Sequence, residues 1–222
     1  MSEAEVRTAL RAAAAEGPVT IELRGAALNP FAGHAQMLAR AFAADGRDLR
    51  IRRAEWLLPD PPARAVLSLL RRIDELEIEY PSSASSARRL YRRRWPRKRY
   101  QALIELLRRH QMEPVLVVRP GLPGENEASV LEMLRQVYAL EPKSVRVEPL
   151  TAEPGSFFAA NHARYRLAVE EAPSYRVLAH SGANSFELRW LVAVCEKSAA
   201  DYCYWKSRAE AAHAASHRPS SG

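Results

Sequence analysis

The stretch 114–150, PVLVVRPGLPGENEASVLEMLRQVYALEPKSVRVEPL, decides the fold of this chain. Its first residues, PVLVV, are apolar and rich in valine, which predicts a strand over 114–118. Apolar residues at Val130, Leu131, Leu134 and Val137 then follow helical spacing, and SVRVEPL predicts a second strand over 144–150. A strand, a helix and a strand in succession indicate a βαβ unit and therefore a parallel sheet.

The turn between the first strand and the helix has the sequence RPGLPGEN. Gly121 and Gly124 permit positive φ and close backbone approach, while Pro120 and Pro123 stiffen the turn. Asn126 is placed to cap the helix that follows. Two interpretations stay open for this turn: a ligand-binding loop, or a tight strand-to-helix connection.

The same alternation of elements runs along the rest of the chain. Strands are predicted over 19–25, 48–53 and 75–80, and helices over 31–46 and 62–73. We therefore expect an α/β domain over 1–183, an open, partial TIM-type barrel of about five parallel βα units. A helical extension is expected over 184–212 and a disordered tail over 213–222.

Charged residues alternate with apolar ones along four of the five predicted strands. They are Glu22, Arg24, Arg50, Arg52, Glu77, Glu79, Arg146 and Glu148. One face of the sheet is therefore predicted to be polar, with the arginine pair of the second strand beside the glutamate pair of the third. This face is either a surface joined by ion pairs or a pocket for a charged ligand.

The excess positive charge is local. The chain has a net charge of +7, but residues 88–109 alone contain ten basic residues and one acidic residue, so the remainder is slightly acidic. The basic residues considered for nucleic-acid binding are Arg88, Arg89, Arg92, Arg93, Arg97, Lys98 and Arg99, with Tyr91, Trp95 and Tyr100 between them. This run is either a solvated helical surface or a site for single-stranded nucleic acid, with aromatic side chains as stacking platforms.

Several classes of protein are disfavoured by composition. No apolar run reaches the roughly 18 residues of a membrane span, and the first residues do not resemble a signal peptide, so a cytoplasmic protein is expected. Cys195 and Cys203 are eight residues apart on a predicted helix, which separates them by roughly 12 Å and excludes a disulfide between them. His213 and His217 do not complete a metal site, and no metal is expected.

Residues 74–158, from DELEIEYPSS through GLPGE to PLTAEPGSFF, resemble the radical S-adenosylmethionine (SAM) barrel, most closely its cobalamin-associated branch. GLPGE is the most specific of these motifs. VTIELRGAALNPF, upstream, is similar to the second strand of that barrel, and the helical region from 172 onward is similar to its C-terminal helices. The resemblance implies a SAM-binding region that includes Ser82, Arg94, Gly121, Gly124 and Glu125.

This sequence also departs from that family's pattern. The family binds a four-iron cluster through CxxxCxxC after its first strand, and the resemblance implies that this sequence starts after that motif. Glu79 stands where the family has a glycine. The resemblance therefore implies a non-catalytic or split subunit without its own iron–sulfur cluster, working with a radical SAM enzyme, including cobalamin-dependent ones, or as a homodimer. A nucleic-acid-binding protein and a stand-alone SAM-binding enzyme without a cluster stay open as alternatives.

Overall fold

A computed structural model describes residues 2–15, 21–23, 34–45, 50–56, 67, 69–90 and 97–216. The helices are α1 (Glu3–Ala15), α2 (His34–Asp45), α3 (Ser85–Leu90), α4 (Arg97–Arg109), α5 (Glu127–Tyr138), α6 (Phe157–Ala160), α7 (His162–Tyr165) and α8 (Ser185–Ser216). The strands are β1 (Ile21–Leu23), β2 (Ile51–Trp56), β3 (Ile73–Glu79), β4 (Val115–Val118), β5 (Ser144–Val147), β6 (Ala168–Val169) and β7 (Val177–Ala179).

Five parallel strands form one sheet in the order β1-β2-β3-β4-β5. Each of them lies within or overlaps a predicted strand, and the α/β fold class of a partial TIM-type barrel is confirmed. Strand order follows chain order because each crossover returns the chain beside the strand it has just left. Residues 67, 69 and 70 of the predicted helix 62–73 are helical, and most of its remainder lies outside the described residues.

The chain divides into two compact units, one made of 1–79 and 95–116 and the other of 80–94 and 117–222. In the first unit, β1, β2 and β3 pair in parallel, and α1 packs against α2. In the second unit, one apolar cluster is built from residues of the turns, the short helices and the start of α8. Its buried members are Ala87, Leu122, Leu150, Ala152, Phe158, Tyr165, Leu167, Val177 and Leu188.

The helix after the glycine turn begins as the sequence predicts. The Asn126 side chain accepts a hydrogen bond from the Ser129 backbone N–H at 2.9 Å, and the Ser129 hydroxyl accepts one from the Asn126 N–H at 3.0 Å. This reciprocal capping box satisfies two N–H groups at the start of α5. The predicted Asn126 cap is confirmed.

The C-terminal helix α8 is 32 residues long and packs against β5. Leu188, Leu191 and Cys195 lie on its buried face. The helix extends to Ser216, four residues into the segment 213–222 for which disorder was expected. Among the described residues, no helix is both long enough and apolar enough to cross a membrane.

Some elements were not predicted from the sequence, among them the short helices α6 and α7. Helix α1 precedes β1, and β6 and β7 form an antiparallel pair between α7 and α8. The strands of this pair have two and three residues, too few for periodicity to mark them.

Candidate functional site

The turn after β4 is held by a buried carboxylate that belongs to the turn itself. Oε2 of Glu125 accepts hydrogen bonds from the Gly121 N–H at 2.8 Å and the Leu122 N–H at 2.9 Å. Both glycines of the turn have φ of +91°, as the sequence predicts. Glu125 therefore occupies two backbone donors that a ligand would otherwise contact.

The environment of Glu125 disfavours its charged form. The residue is only 8% exposed, and burial raises the pKa of its carboxyl above the ordinary value. The Ser82 side chain and the backbone N–H groups of Leu122 and Gly121 oppose that rise by stabilising the carboxylate. The second oxygen, Oε1, is buried and lacks a partner with hydrogen-bond geometry among the described residues.

His180 binds the same turn from the far side. The nitrogen Nδ1 accepts a hydrogen bond from the Gly182 N–H at 3.0 Å, and Nε2 lies 3.0 Å from the Gly121 carbonyl oxygen. A ring that accepts at Nδ1 carries its proton on Nε2, so Nε2 donates to Gly121. Burial lowers the pKa of His180, against the effects of this bond and of the Glu187 carboxylate, so the ring is held neutral.

The two glycines are also approached closely by side chains. A Cβ on Gly121 would lie 2.9 Å from Cδ2 of Leu188 on α8. A Cβ on Gly124 would lie 2.5 Å from the Ser86 hydroxyl oxygen, and that hydroxyl donates to the Gly124 carbonyl at 2.9 Å. Packing as well as the backbone angle therefore favours glycine at both positions.

Four of the residues predicted as cofactor-binding thus belong to one cluster: Ser82, Gly121, Gly124 and Glu125. The fifth, Arg94, lies outside the described residues. The cluster's geometry favours the tight-connection interpretation of the turn, because its N–H groups at 121 and 122 and its carbonyls at 121 and 124 already have protein partners. Direct hydrogen bonding of a nucleoside to these groups would require their displacement.

The sequence analysis did not identify His180 as part of this cluster. Its partner Gly121 is 59 residues away in sequence. The one local signal is the Ser181–Gly182 dipeptide, which is typical of a turn. That signal places a bend after the histidine without identifying what the ring contacts.

The polar sheet face of the first unit is paired differently from the expectation. Arg53, and not Arg52, lies opposite Glu75, and its Nε is 3.0 Å from Oε1 of Glu77, a residue only 3% exposed. Arg50 instead pairs with Asp74 and donates to the Arg71 carbonyl at 2.9 Å. The expected pairing is wrong because successive side chains on a strand point to opposite faces of the sheet. Arg53 shares a face with Glu75, and Arg52 therefore lies on the other face.

The remaining predicted polar positions have separate surroundings. In the first unit, Glu22 lies opposite Arg53, and the backbone carbonyl of half-buried Glu79 accepts the Tyr100 hydroxyl at 2.9 Å. In the second unit, Glu148 forms an ion pair with Arg119 at 2.6 Å, and Arg146 is half-buried on β5. Arg24 lies outside the described residues.

The basic run is described only at its two ends. Arg88, Arg89, Arg97, Lys98 and Arg99 are exposed, whereas Arg92 and Arg93, like Tyr91 and Trp95, lie outside the described residues. Tyr100 is fully buried, so its predicted role as a stacking platform is wrong. Its position on the buried side of α4 follows the helical spacing of Leu103, Ile104 and Leu107.

The residues present do not fit an iron–sulfur cluster. Cys195 and Cys203 are both free thiols, which confirms that they form no disulfide. Burial raises the pKa of Cys195 to about 12, whereas cluster ligation requires thiolates. Within the described part of the chain, no group of three or more His, Cys, Asp or Glu side chains is placed to hold a metal ion.

Known structures with a similar fold support the radical SAM-like architecture. One is the radical SAM methyltransferase TsrM from Kitasatospora setae, solved with tryptophan substrate and a SAM analogue, with a TM-score of 0.53 and 17% identity. Another is the archaeal Elp3 of Methanocaldococcus infernus with an N-terminal deletion, with a TM-score of 0.50 and 14% identity.

The matches cover 67% and 71% of this chain but only 30% of the TsrM chain and 44% of the Elp3 chain. This chain thus spans less than half the length of either protein. No family model and no curated protein matches the sequence. At this level of identity the likeness concerns the fold, and it confirms the radical SAM-like barrel predicted from GLPGE and its neighbouring strands.

Proposed function

We propose that this chain, which has a radical SAM-like fold, is a non-catalytic partner of a radical SAM enzyme that supplies its own cluster. Enzymes of biosynthetic pathways, including cobalamin-dependent ones, are the class of partner we expect. The observation that carries the proposal is the pair of cysteines on α8, which do not fit a cluster. Thiolates from residues outside this sequence are then required for any radical chemistry.

An exposed aromatic face of α8 supports an association with another protein. We define this face by Phe186, Trp190, Tyr204 and Trp205, which are 69%, 51%, 54% and 66% exposed. Most of this face lies opposite the buried side of the helix, where the exposed ion pair of Lys197 and Asp201 separates Trp190 from Tyr204 and Trp205. Large exposed aromatic side chains are enriched at protein interfaces and dominate their binding energy.

The aromatic face is a better candidate surface than the edge of the sheet at β5. The edge strands of an open sheet promote association, because their backbone N–H and C=O groups are unpaired. However, α8 already packs against β5, the last strand in the sheet order. We therefore place the partner contact on the aromatic face of α8.

The test is affinity capture from the native cell lysate with a tagged chain, with and without nuclease. Wild-type chain should retain, regardless of nuclease, a protein that carries CxxxCxxC, and a Trp190→Ala/Trp205→Ala variant should lose it. The matched control is Leu131→Ala, which truncates a side chain that is 48% exposed on α5 and should retain the partner. Size-exclusion chromatography of the same variants identifies a homodimer. A wild-type chain that stays monomeric and retains no such protein contradicts the proposal.

Nucleic-acid binding is a second candidate, and the exposure of the described basic residues favours it. With Tyr100 buried, phosphate contacts would supply most of the affinity, so binding should weaken steeply as salt rises. An Arg88→Ala/Arg89→Ala variant should bind a fluorescent single-stranded RNA less tightly and with a shallower salt dependence. The control is Arg208→Ala, which removes a positive charge from α8 and should leave RNA binding unchanged.

Stand-alone SAM binding is the third candidate, supported by the fold alone. Titration of the purified chain with SAM distinguishes this candidate from the non-catalytic partner. A partner subunit without its own SAM site should show no saturable binding. A Gly124→Ala variant should weaken any binding at the turn.

A further inference from the structure

A cavity of 450 Å³ lies in the second unit, beside the first three turns of α8. Its walls come from the residues after β4 and β5, from β7 and the residue before it, and from one side of α8. The lining includes Leu150, Arg176, Val177, Leu188, Arg189 and Glu196. The partner contact proposed above uses none of these side chains.

The floor of the cavity is apolar and firmly packed. Leu150, Val177 and Leu188 are at most 6% exposed and belong to the apolar cluster of the second unit. The volume is within the range of about 300–1,000 Å³ that is usual for sites of small organic ligands. An apolar ligand group could bind here without rearrangement of the core.

The charged groups of the cavity carry an excess of positive charge. Arg176 and Arg189 are both exposed, and within the described part of the chain neither guanidinium has a carboxylate in ion-pair range. Among the described residues that line the cavity, Glu196 is the one acidic side chain. Two guanidiniums beside an apolar surface can bind one anionic group through charge-assisted hydrogen bonds.

We propose that this cavity binds an amphipathic monoanion: a carboxylate, or a similar singly charged group, attached to a medium-length apolar chain or ring. The apolar part lies on Leu150, Val177 and Leu188, and the anionic group lies between Arg176 and Arg189. Glu196 disfavours a ligand with several negative charges, because each further charge is repelled by its carboxylate. The two guanidiniums likewise disfavour a cation such as the sulfonium of SAM.

A matched pair of probes tests the proposal by isothermal titration calorimetry on the purified chain. Decanoate has the apolar chain and the charge, and decan-1-ol has the same chain without the charge. Arg176→Gln and Arg189→Gln should each weaken decanoate binding about three- to tenfold, as loss of a charge-assisted hydrogen bond to a partly exposed group requires. Both variants should leave decan-1-ol binding unchanged.

Two further variants determine whether the effect is local. Glu196→Gln should strengthen decanoate binding, because it removes a negative charge that repels the carboxylate. Lys197→Gln removes a positive charge from the same helix but outside the cavity, where Lys197 pairs with Asp201 at 3.5 Å, and should change neither affinity. Each variant's unfolding free energy is measured alongside to show that it folds.

The proposal is overturned if decanoate does not bind, or if the arginine variants weaken both probes equally. A Lys197→Gln variant that weakens decanoate as much as Arg189→Gln would also overturn it, since binding would then follow the overall charge. These outcomes do not depend on the partner proposal, because the assay contains only the purified chain.

Discussion

Glycine is needed at position 124 for two separable reasons, its backbone angle and its contact with Ser86. Gly155 separates them, because it has a similar φ of +83°, but no atom of the described residues other than its chain neighbours lies within 4 Å of where a Cβ would be. Gly155→Ala should cost about 1 kcal/mol from the backbone angle alone. Gly124→Ala should cost about 1–3 kcal/mol more, because Ser86 must also move. Urea denaturation of both variants measures the difference, and equal costs would mean that the close contact with Ser86 is unimportant.

The buried carboxylate of Glu125 should make stability depend on pH. Its pKa is raised in the folded state, so its contribution is fully present below its ordinary pKa and is lost as pH rises through the folded-state value. The unfolding free energy of wild type, relative to Glu125→Gln, should therefore fall as pH rises above the ordinary glutamate pKa. The control is Glu127→Gln, at an exposed carboxylate in the first turn of α5. If the difference in unfolding free energy does not change with pH, burial does not raise the pKa of Glu125.

Removal of the Glu125 side chain should be more damaging than its neutralisation. Glu125→Ala leaves the N–H groups of Gly121 and Leu122 without their acceptor, at about 1–3 kcal/mol each. Glu125→Gln retains an amide oxygen that can accept from both. Denaturation at a single pH compares the two variants, and equal destabilisation would mean that these hydrogen bonds contribute little.

His180 should produce the opposite pH dependence. Its pKa is lowered in the folded state, so its contribution is present above the ordinary histidine pKa and is lost as pH falls through the folded-state value. A proton added at Nδ1 would also meet the Gly182 N–H that this nitrogen accepts. The stability of wild type relative to His180→Gln should therefore fall as pH drops below the ordinary histidine pKa, as measured by denaturation at each pH.

At the scale of single elements, α8 places its two thiols in different environments. Cys195 is fully buried with a pKa of about 12, whereas Cys203 is half-buried. Because the thiolate is the reactive form, iodoacetamide should modify Cys203 in the folded protein and both thiols only after unfolding. Mass spectrometry counts the modified sites, and a Cys203→Ser variant should show none while folded. Modification of Cys195 in the folded protein would show that α8 detaches readily.

The far part of α8 is anchored by polar and aromatic contacts. The Tyr138 ring stacks on Tyr202 with centroids 4.8 Å apart, and its hydroxyl lies 2.7 Å from the Ser198 hydroxyl. Tyr202 and Lys206 each donate to the Pro142 carbonyl at 2.8 Å. These contacts fix which side of α8 packs against the rest of the second unit. Most of the aromatic face lies on the other side of the helix.

At the scale of the whole molecule, a radical SAM-like fold is present without a set of cysteines that fits an iron–sulfur cluster. We expect anaerobic reconstitution of this chain with iron and sulfide to give no visible absorption that depends on its cysteines, because two distant thiols cannot ligate a cluster. The measurement compares wild type with Cys203→Ala, which alters no fully buried residue. Cysteine-dependent absorption would contradict the partner proposal at its foundation.

The sequence by itself determined the strand-helix alternation, the Asn126 cap, the positive φ at Gly121 and Gly124, and the presence of a long C-terminal helix. These features follow from periodicity, capping chemistry and glycine sterics, which act between residues close together in the chain. The resemblance carried by GLPGE also predicted the correct fold.

Only the tertiary structure decided what those residues contact. The register that pairs Arg53 with Glu75 depends on where each strand begins, and a single-residue offset reverses the face. The hydrogen bond from His180 to Gly121, the burial of Tyr100 and the cavity beside α8 join residues that are distant in the chain. Local pattern has no information about such contacts, because they form only when packing brings separate elements together.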